Sequence, residues 1–432
     1  MKILSIKNNL ILLGVFATII SFNSCKQQNE LTGNTLAPEI TAVYLEDAQS
    51  KVPDRQVDFA RLGQTIRLQG ANFIGVTKVL INGYSCYFNL ALMADNSMIV
   101  AVNQKVPTID VEPSLKNTIQ LVKGIHTVTY HFDIRAAAPA VTVVSHTMPQ
   151  AGDVISIIGT NLQGVTRVLF PGNIEGTNIS SDDVDGKWCR VTVPAGITAS
   201  GSLTVIGANG GAYSPAYINF KEGVMNDFDG VDNYSWGSGI DNTKLNTVIP
   251  ASGDCKSQGN YSCFNSGSNT AANGVQKFWL KSDLLMPIMN NIDASTSTDQ
   301  CAIQMDIYVE GVWNSGIIRF VMADGWGNSR YCMLYQPVYP NGTSYDATAF
   351  VNPNCWFTIT LPFSLSNDFT GKTLGDVIAQ MAQASYKQSG PFFENSGIQN
   401  VFDPVVATQK IYFDNIRIVP LATPTYSDFP DE

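Results

Sequence analysis

Gly63-Gln-Thr-Ile-Arg-Leu-Gln-Gly70-Ala-Asn72-Phe-Ile-Gly75-Val-Thr-Lys-Val-Leu80 returns 89 residues later as Gly152-Asp-Val-Ile-Ser-Ile-Ile-Gly159-Thr-Asn161-Leu-Gln-Gly164-Val-Thr-Arg-Val-Leu169, with nine of eighteen positions identical. A period of that length is a tandem array of domains, not a short solenoid unit. Within each copy apolar residues alternate, at Ile66 and Leu68, then Val79 and Ile81, and at Val154 and Ile158, then Val168 and Phe170. Period two is the mark of a half-buried strand. Gly and Asn between these runs tolerate positive φ and so supply the turns. Further strand candidates follow at Met98–Val102 and Thr118–Val122 in the first copy, and at Trp188–Val193 and Ser202–Ile206 in the second. Several short strands in about 80 to 100 residues predict an immunoglobulin-like β-sandwich.

The repeated motif, with Val193-Pro194 and the closing Phe132 and Phe220, resembles the IPT/TIG family of such sandwiches. Ala37-Pro38 opens the first copy and Arg135-Ala-Ala-Ala-Pro139 the second, so each joint carries one proline. Short proline-bearing linkers restrict swing between neighbours, which predicts a semi-rigid stalk. The reading divides the chain into domains at 36–135, 136–221 and 222–432.

The chain begins with basic Lys2 and Lys7, an apolar run from Leu10 to Phe22, and Ser24-Cys25. Thirteen apolar residues are too few for a permanent transmembrane helix, so residues 1–24 read as a cleaved secretory signal. Cys25 in that place resembles a bacterial lipobox cysteine, although Phe22 stands where Leu is usual. The resemblance implies a lipid anchor at Cys25, a membrane attachment without a spanning helix and a polar tether over residues 25–35.

Net charge is −10, and the 26 Lys and Arg are scattered, so no basic patch is available for phosphates and nucleic acid is excluded as a partner class. Charged residues make up only 14 %, a surface suited to neutral polar ligands. Beyond Cys25 there are seven cysteines, an odd number that forbids complete pairing within one chain; buried thiols are the expectation.

After Phe220 the repeat pattern ends, but strands continue. Cys301–Val309 alternates Ile303, Met305, Ile307 and Val309 against Gln304, Asp306 and Tyr308; Ile317–Met322, Tyr331–Tyr335, Trp356–Leu361 and Lys410–Val419 behave alike. One helix is predicted at Leu374–Ser385, capped by Thr373. The fold class is therefore all-β: two tandem Ig-like sandwiches followed by a larger jelly-roll-like β-sandwich.

Asn226-Asp-Phe-Asp229-Gly, Cys355-Trp-Phe-Thr-Ile-Thr-Leu-Pro-Phe363 and Ile411-Tyr-Phe-Asp414-Asn-Ile-Arg-Ile418 resemble the carbohydrate-binding jelly-roll modules. In those an acidic pair on the adjoining first and last strands often holds a structural calcium, which makes Asp229 and Asp414 the candidate ligands. Asp at strand ends also caps turns for ordinary reasons. No other cofactor is indicated.

All three histidines precede this last domain, so it holds no histidine triad or histidine zinc site. Its Glu222, Glu310 and Glu394 are far apart in sequence, whereas glycoside hydrolysis needs two carboxylates across one bond, so an enzyme is not expected. Aromatic side chains are the stronger signal. Pyranose rings present a flat C–H face that stacks on indole or phenol, with amides and carboxylates hydrogen-bonding the hydroxyls. Five of the six tryptophans lie here. Trp279 and Trp356 fall in apolar runs and are expected to pack inside. Trp236, the turn-borne Trp313 and Trp326, and Tyr335, Tyr339 and Tyr345 of a turn-rich stretch are the candidate sugar platform.

The whole order of parts resembles the surface glycan-binding proteins of Bacteroidetes polysaccharide utilisation loci, above all those whose terminal domain binds xyloglucan or a related β-glucan. That resemblance implies non-catalytic capture of a polysaccharide at the outer membrane, beside a surface glycanase and a TonB-dependent importer. An adhesin or scaffold gripping a protein partner is the alternative, and would show an apolar patch in place of a groove flanked by polar groups; a surface glycanase comes third.

Overall fold

The computed structural model describes residues 35–46, 55–207, 210–238, 240–264, 274–322, 331–342, 344–385, 387–395, 404–422 and 426–427. The proposed signal, Cys25, nearly all of the tether, and Trp326 lie outside them. The chain forms two compact units, residues 1–135 and 136–432.

The first unit contains β1 (Glu39–Glu46), β2 (Arg55–Gln56), β3 (Phe59–Arg61), β4 (Thr65–Ala71), β5 (Lys78–Ile81), β6 (Tyr84–Cys86), β7 (Ser97–Ala101), β8 (Thr118–Lys123), β9 (His126–His131) and β10 (Asp133–Arg135). Antiparallel sheets β2-β1-β4-β7 and β6-β5-β8-β9 enclose a core that includes Ile66, Leu68, Val79, Ile81, Ile119 and Leu121. These are the residues that alternation points inward.

The second unit starts with the second Ig-like sandwich: β11 (Ala140–Val144), β12 (Val154–Thr160), β13 (Val165–Phe170), β14 (Ile174–Glu175), β15 (Thr177–Ser181), β16 (Trp188–Thr192), β17 (Gly201–Gly207) and β18 (Gly210–Ile218). Its sheets are β11-β12-β16-β15 and β14-β13-β17-β18, the latter extended by β30 (Tyr426–Ser427) from the chain's end.

The shared motif has a shared structural cause. Both Gly70 and Gly159 stand where the first strand of the sandwich bulges against them, and a Cβ at either would collide with the carbonyl of Glu39 or Ala140. Two residues on, Asn72 and Asn161 adopt φ of 61° and 56°, and their side-chain amides donate to the carbonyls of Ala37 and Ala138, each just before the linker proline. Gly-x-Asn thus fixes how the chain enters each sandwich.

The larger sandwich comprises β19 (Val224–Asn226), β20 (Tyr234–Ser238), β21 (Ile240–Leu245), β22 (Tyr261–Phe264), β23 (Gly274–Leu280), β24 (Cys301–Glu310), β25 (Ile317–Met322), β26 (Tyr331–Tyr335), β27 (Phe357–Pro362), β28 (Ser389–Asn395) and β29 (Lys410–Pro420), with short helices α1 (Leu285–Met289) and α2 (Leu374–Ala382). Thr373 caps α2 through a capping box with Asp376, and Leu374, Val377 and Met381 face inward. Sheet β21-β22-β29-β24-β27, with β19 on β29, packs on sheet β20-β23-β28-β25-β26. Between them lies one core, including Ile303, Met305, Ile307, Phe278, Phe320, Phe393 and Phe413. The protein is all-β, as its alternation predicts.

Candidate functional site

Register decides what the sheet β20-β23-β28-β25-β26 shows on its side away from the core. Gln276 pairs with Phe393 and Gly237 with Phe278, and both phenylalanines belong to the core. The intervening positions must face out. These pair Trp236 with Trp279, Ser238 with Lys277, Lys277 with Phe392, Val275 with Glu394 and Arg319 with Phe392. Trp279, Phe392 and Val321 form an apolar cluster of their own, separate from the sandwich core. Their rings are fixed: Trp279 meets Phe392 edge-on, centroids 4.7 Å apart at 90°.

Polar groups surround that apolar strip. Lys277 Nζ and Arg319 Cζ each lie 5.7 Å from the Phe392 ring centroid, and Arg319 Nε is 2.9 Å from Glu394 Oε2. Trp236, on edge strand β20, is 54 % exposed. Trp279 and Phe392 are themselves buried, Phe392 beneath Lys277 and Arg319, so Trp236 is the ring of this face open to stacking on a flat apolar ligand, with charged groups nearby for hydrogen bonds. Glu394 is held by Arg319, an arrangement for positioning; cleavage of a glycosidic bond would use two opposed carboxylates.

The predicted platform residues do not gather in one place. Trp313 is buried at 2 %, with Nε1 donating to the Gly316 carbonyl at 2.8 Å and its ring against Tyr335 and Phe350. Its Glu-Gly-Val-Trp turn carries the indole inward, where it joins the rings of Tyr335, Tyr339 and Phe350 in the core. Tyr339 is also buried, and Tyr335 is half-buried, its hydroxyl pushed to higher pKa by burial. Tyr345 alone of this loop group faces water, with its hydroxyl 3.5 Å from the Trp313 carbonyl. Trp236 and Tyr345 therefore belong to opposite edges of the sheet, on β20 and after β26. Trp326 lies outside the described residues.

Trp279, Phe392, Lys277, Arg319 and Glu394 were not among the sequence candidates. The signal for them was present: Phe278-Trp279 and Phe392-Phe393 each place two rings side by side in a strand, and alternation forces one of each pair outward. Trp356 also packs outside the main core, against Tyr261 and Cys255 on the far sheet.

Asp229 and Asp414 do approach each other, lining a cavity of about 450 Å³ with Asp227, Asn219, Lys221 and Gln258. Burial, then the charges of Asp306, Asp229 and Asp227, hold the Asp414 carboxyl well above the usual range. Both carboxylates are engaged by neighbouring asparagines. Asp229 Oδ1 accepts from Asn260 N and Nδ2 at 2.9 and 2.7 Å, and Asp414 accepts from Asn415 N and Nδ2. Among the described residues no group of three acidic, histidine or cysteine side chains is disposed to hold a metal. No helix of the described residues is long and apolar enough to cross a membrane.

Comparison with known proteins agrees with this architecture. A curated IPT/TIG domain-containing protein of Bacteroides ovatus is 24 % identical over 288 residues, 65 % of this chain and 52 % of that protein; the chain thus spans about half the length of the curated relative it matches. The crystal structure of surface glycan-binding protein PbSGBP-B from Prevotella bryantii shares the fold, with a TM-score of 0.62 at 19 % identity over 89 % of this chain and 99 % of that one. Residues 218–420, the large sandwich, match the family described as surface glycan-binding protein B xyloglucan binding domain.

Proposed function

We propose that this chain is a non-catalytic cell-surface protein that captures a neutral polysaccharide, a xyloglucan or another β-glucan, on the outer face of sheet β20-β23-β28-β25-β26. The observation that carries the reading is the exposed indole of Trp236, paired across the strands with the buried Trp279 and flanked along the sheet by Lys277, Arg319 and Glu394. The family match over residues 218–420 supports the ligand class. A β-1,4-linked backbone presents its sugars as a flat ribbon, which suits a strip of side chains rooted in adjacent strands.

The lipidated Cys25, an outer-membrane location, and a surface glycanase and TonB-dependent importer as neighbours complete the proposal. They follow from the Ser24-Cys25 motif and the family resemblance. Affinity electrophoresis and calorimetry against a panel of neutral and charged polysaccharides test it. Retention by xyloglucan or another β-glucan, without release of reducing ends, is expected; uniform failure to bind overturns the reading.

A further inference from the structure

The other outer face of the large sandwich, on sheet β21-β22-β29-β24-β27, is divided in two. Outward positions alternate along β24 as Gln304, Asp306, Tyr308 and Glu310, opposite Thr360 and Thr358 on β27 and Arg417, Tyr412 and Lys410 on β29. Near Glu310 and Lys410 this face meets water, and those two side chains are about half exposed. Gln304, Asp306 and Arg417, by contrast, are completely buried. A strand face carrying Arg, Asp and Gln has no reason to be dry unless something is built to cover it.

The cover is the turn after β11 of the second Ig-like sandwich, and the polar groups under it are hydrogen-bonded except Asp306 Oδ2. Thr358 N donates to the Ser145 carbonyl at 2.7 Å and Thr147 N to Thr358 Oγ1 at 2.9 Å. Thr147 Oγ1 donates to Gln304 Oε1 at 2.9 Å and accepts from Arg417 Nη2. Arg417 Nη2 lies 3.1 Å from Asp306 Oδ1, which also accepts from Thr358 Oγ1. His146 Nε2 stands 3.9 Å from Asp306 Oδ2. Around this centre Val154 N donates to the Asp254 carbonyl, Gln258 Nε2 to Asp153 Oδ2, and Ala422 N to the Pro215 carbonyl.

We infer that the covered half of this sheet is a dedicated docking surface for the second Ig-like sandwich, and that residues 136–432 fold and unfold as one body. A buried ion pair that takes one of its hydrogen bonds, Arg417 Nη2 to Thr147 Oγ1, from another domain ties the two domains to one orientation. The joint thereby fixes the direction in which the opposite sheet face points. The family boundary at residue 218 cuts through this body, separating Ser145–Thr147 from the groups they satisfy.

Hydrogen exchange and calorimetry on the full chain test this with Thr147→Val, which keeps the shape and removes the hydroxyl, and Thr147→Ser, which restores it. The unaltered chain should show a single calorimetric transition for residues 136–432. T147V should lower that transition by several degrees and reduce amide protection in β11–β12 and in β24, β27 and β29 together. T147S should recover both, and protection in residues 55–135 should stay unchanged throughout. Separate transitions for the second and third sandwiches in the unaltered chain, or loss of protection confined to β11–β12 in T147V, overturn the inference. The first of these readings needs no variant, so a poorly folding T147V does not shield the inference.

Discussion

Trp236 and Trp279 stand opposite one another across β20 and β23, on the side of the sheet turned from the sandwich core. One is largely exposed and the other is packed edge-on against Phe392, so a free indole adjoins one that is locked in place. That contrast separates binding effects from stability effects.

Trp236→Ala should weaken binding of a β-glucan oligosaccharide by about 1–3 kcal/mol, the range found for loss of one stacking ring under a nucleobase. Its thermal midpoint should change much less than its affinity, because more than half of the residue is already in water. Isothermal titration with parallel melting measurements reads both quantities.

Trp313→Ala should do the reverse. The indole is buried, its N–H satisfied by the Gly316 carbonyl, and two rings pack on it, so truncation should cost about 3–5 kcal/mol of stability. Affinity of the remaining folded protein for glucan should be retained. Denaturant unfolding with titration at low temperature checks this.

These two tryptophans show where sequence reading succeeds and where it stops. Alternation, Gly-x-Asn and the cap at Thr373 are local signals, and local backbone chemistry answers to them directly. The platform is not local. Trp313 sits in a turn-like stretch, but the loop closes over the open end of the core and carries the ring inside. Trp279 sits in an apolar run and is buried as that run predicts, but strand parity puts it in a small cluster with Val321 and Phe392 on the other side of the sheet from the main core. Which of two adjacent rings faces outward depends on register against β20 and β28, set by residues 39 to 46 positions away on β20 and 115 to 121 on β28.

Gly159→Ala should destabilise the second sandwich by about 1–3 kcal/mol, since the added methyl meets the Ala140 carbonyl where β11 bulges. Gly164→Ala, where a Cβ meets nothing within 4 Å, should cost less; only its positive φ of 61° opposes the change. Chemical denaturation of both variants makes the comparison.

Acid should loosen the joint through His146. Met148 N donates to His146 Nδ1, so the neutral ring carries its proton on Nε2, toward Asp306. Burial, opposed by Asp306 and Asp153 and reinforced by Arg417, lowers the imidazole pKa. The unfolded chain then binds the extra proton more readily than the folded one, and this contribution to stability is lost as pH falls below the ordinary histidine value of about 6.5. Asp306 stays ionised across that window: burial raises its carboxyl, but Arg417 and His146 outweigh this and leave it lower than usual. The melting difference between the unaltered protein and His146→Gln should therefore shift in favour of the glutamine variant between pH 7 and pH 5, in roughly the range set by that value.

Indole N–H resonances offer the most direct test of the proposed binding face, because the tryptophans report from separate places. Trp188 marks the second Ig-like sandwich, Trp313 the loop core, Trp356 the far sheet, and Trp236 with Trp279 the proposed platform. On titration with a xyloglucan oligosaccharide, the account predicts that the Trp236 and Trp279 signals move with saturation while those of Trp188, Trp313 and Trp356 stay in place. Saturable movement of Trp356 or Trp188 with Trp236 and Trp279 unmoved would contradict it.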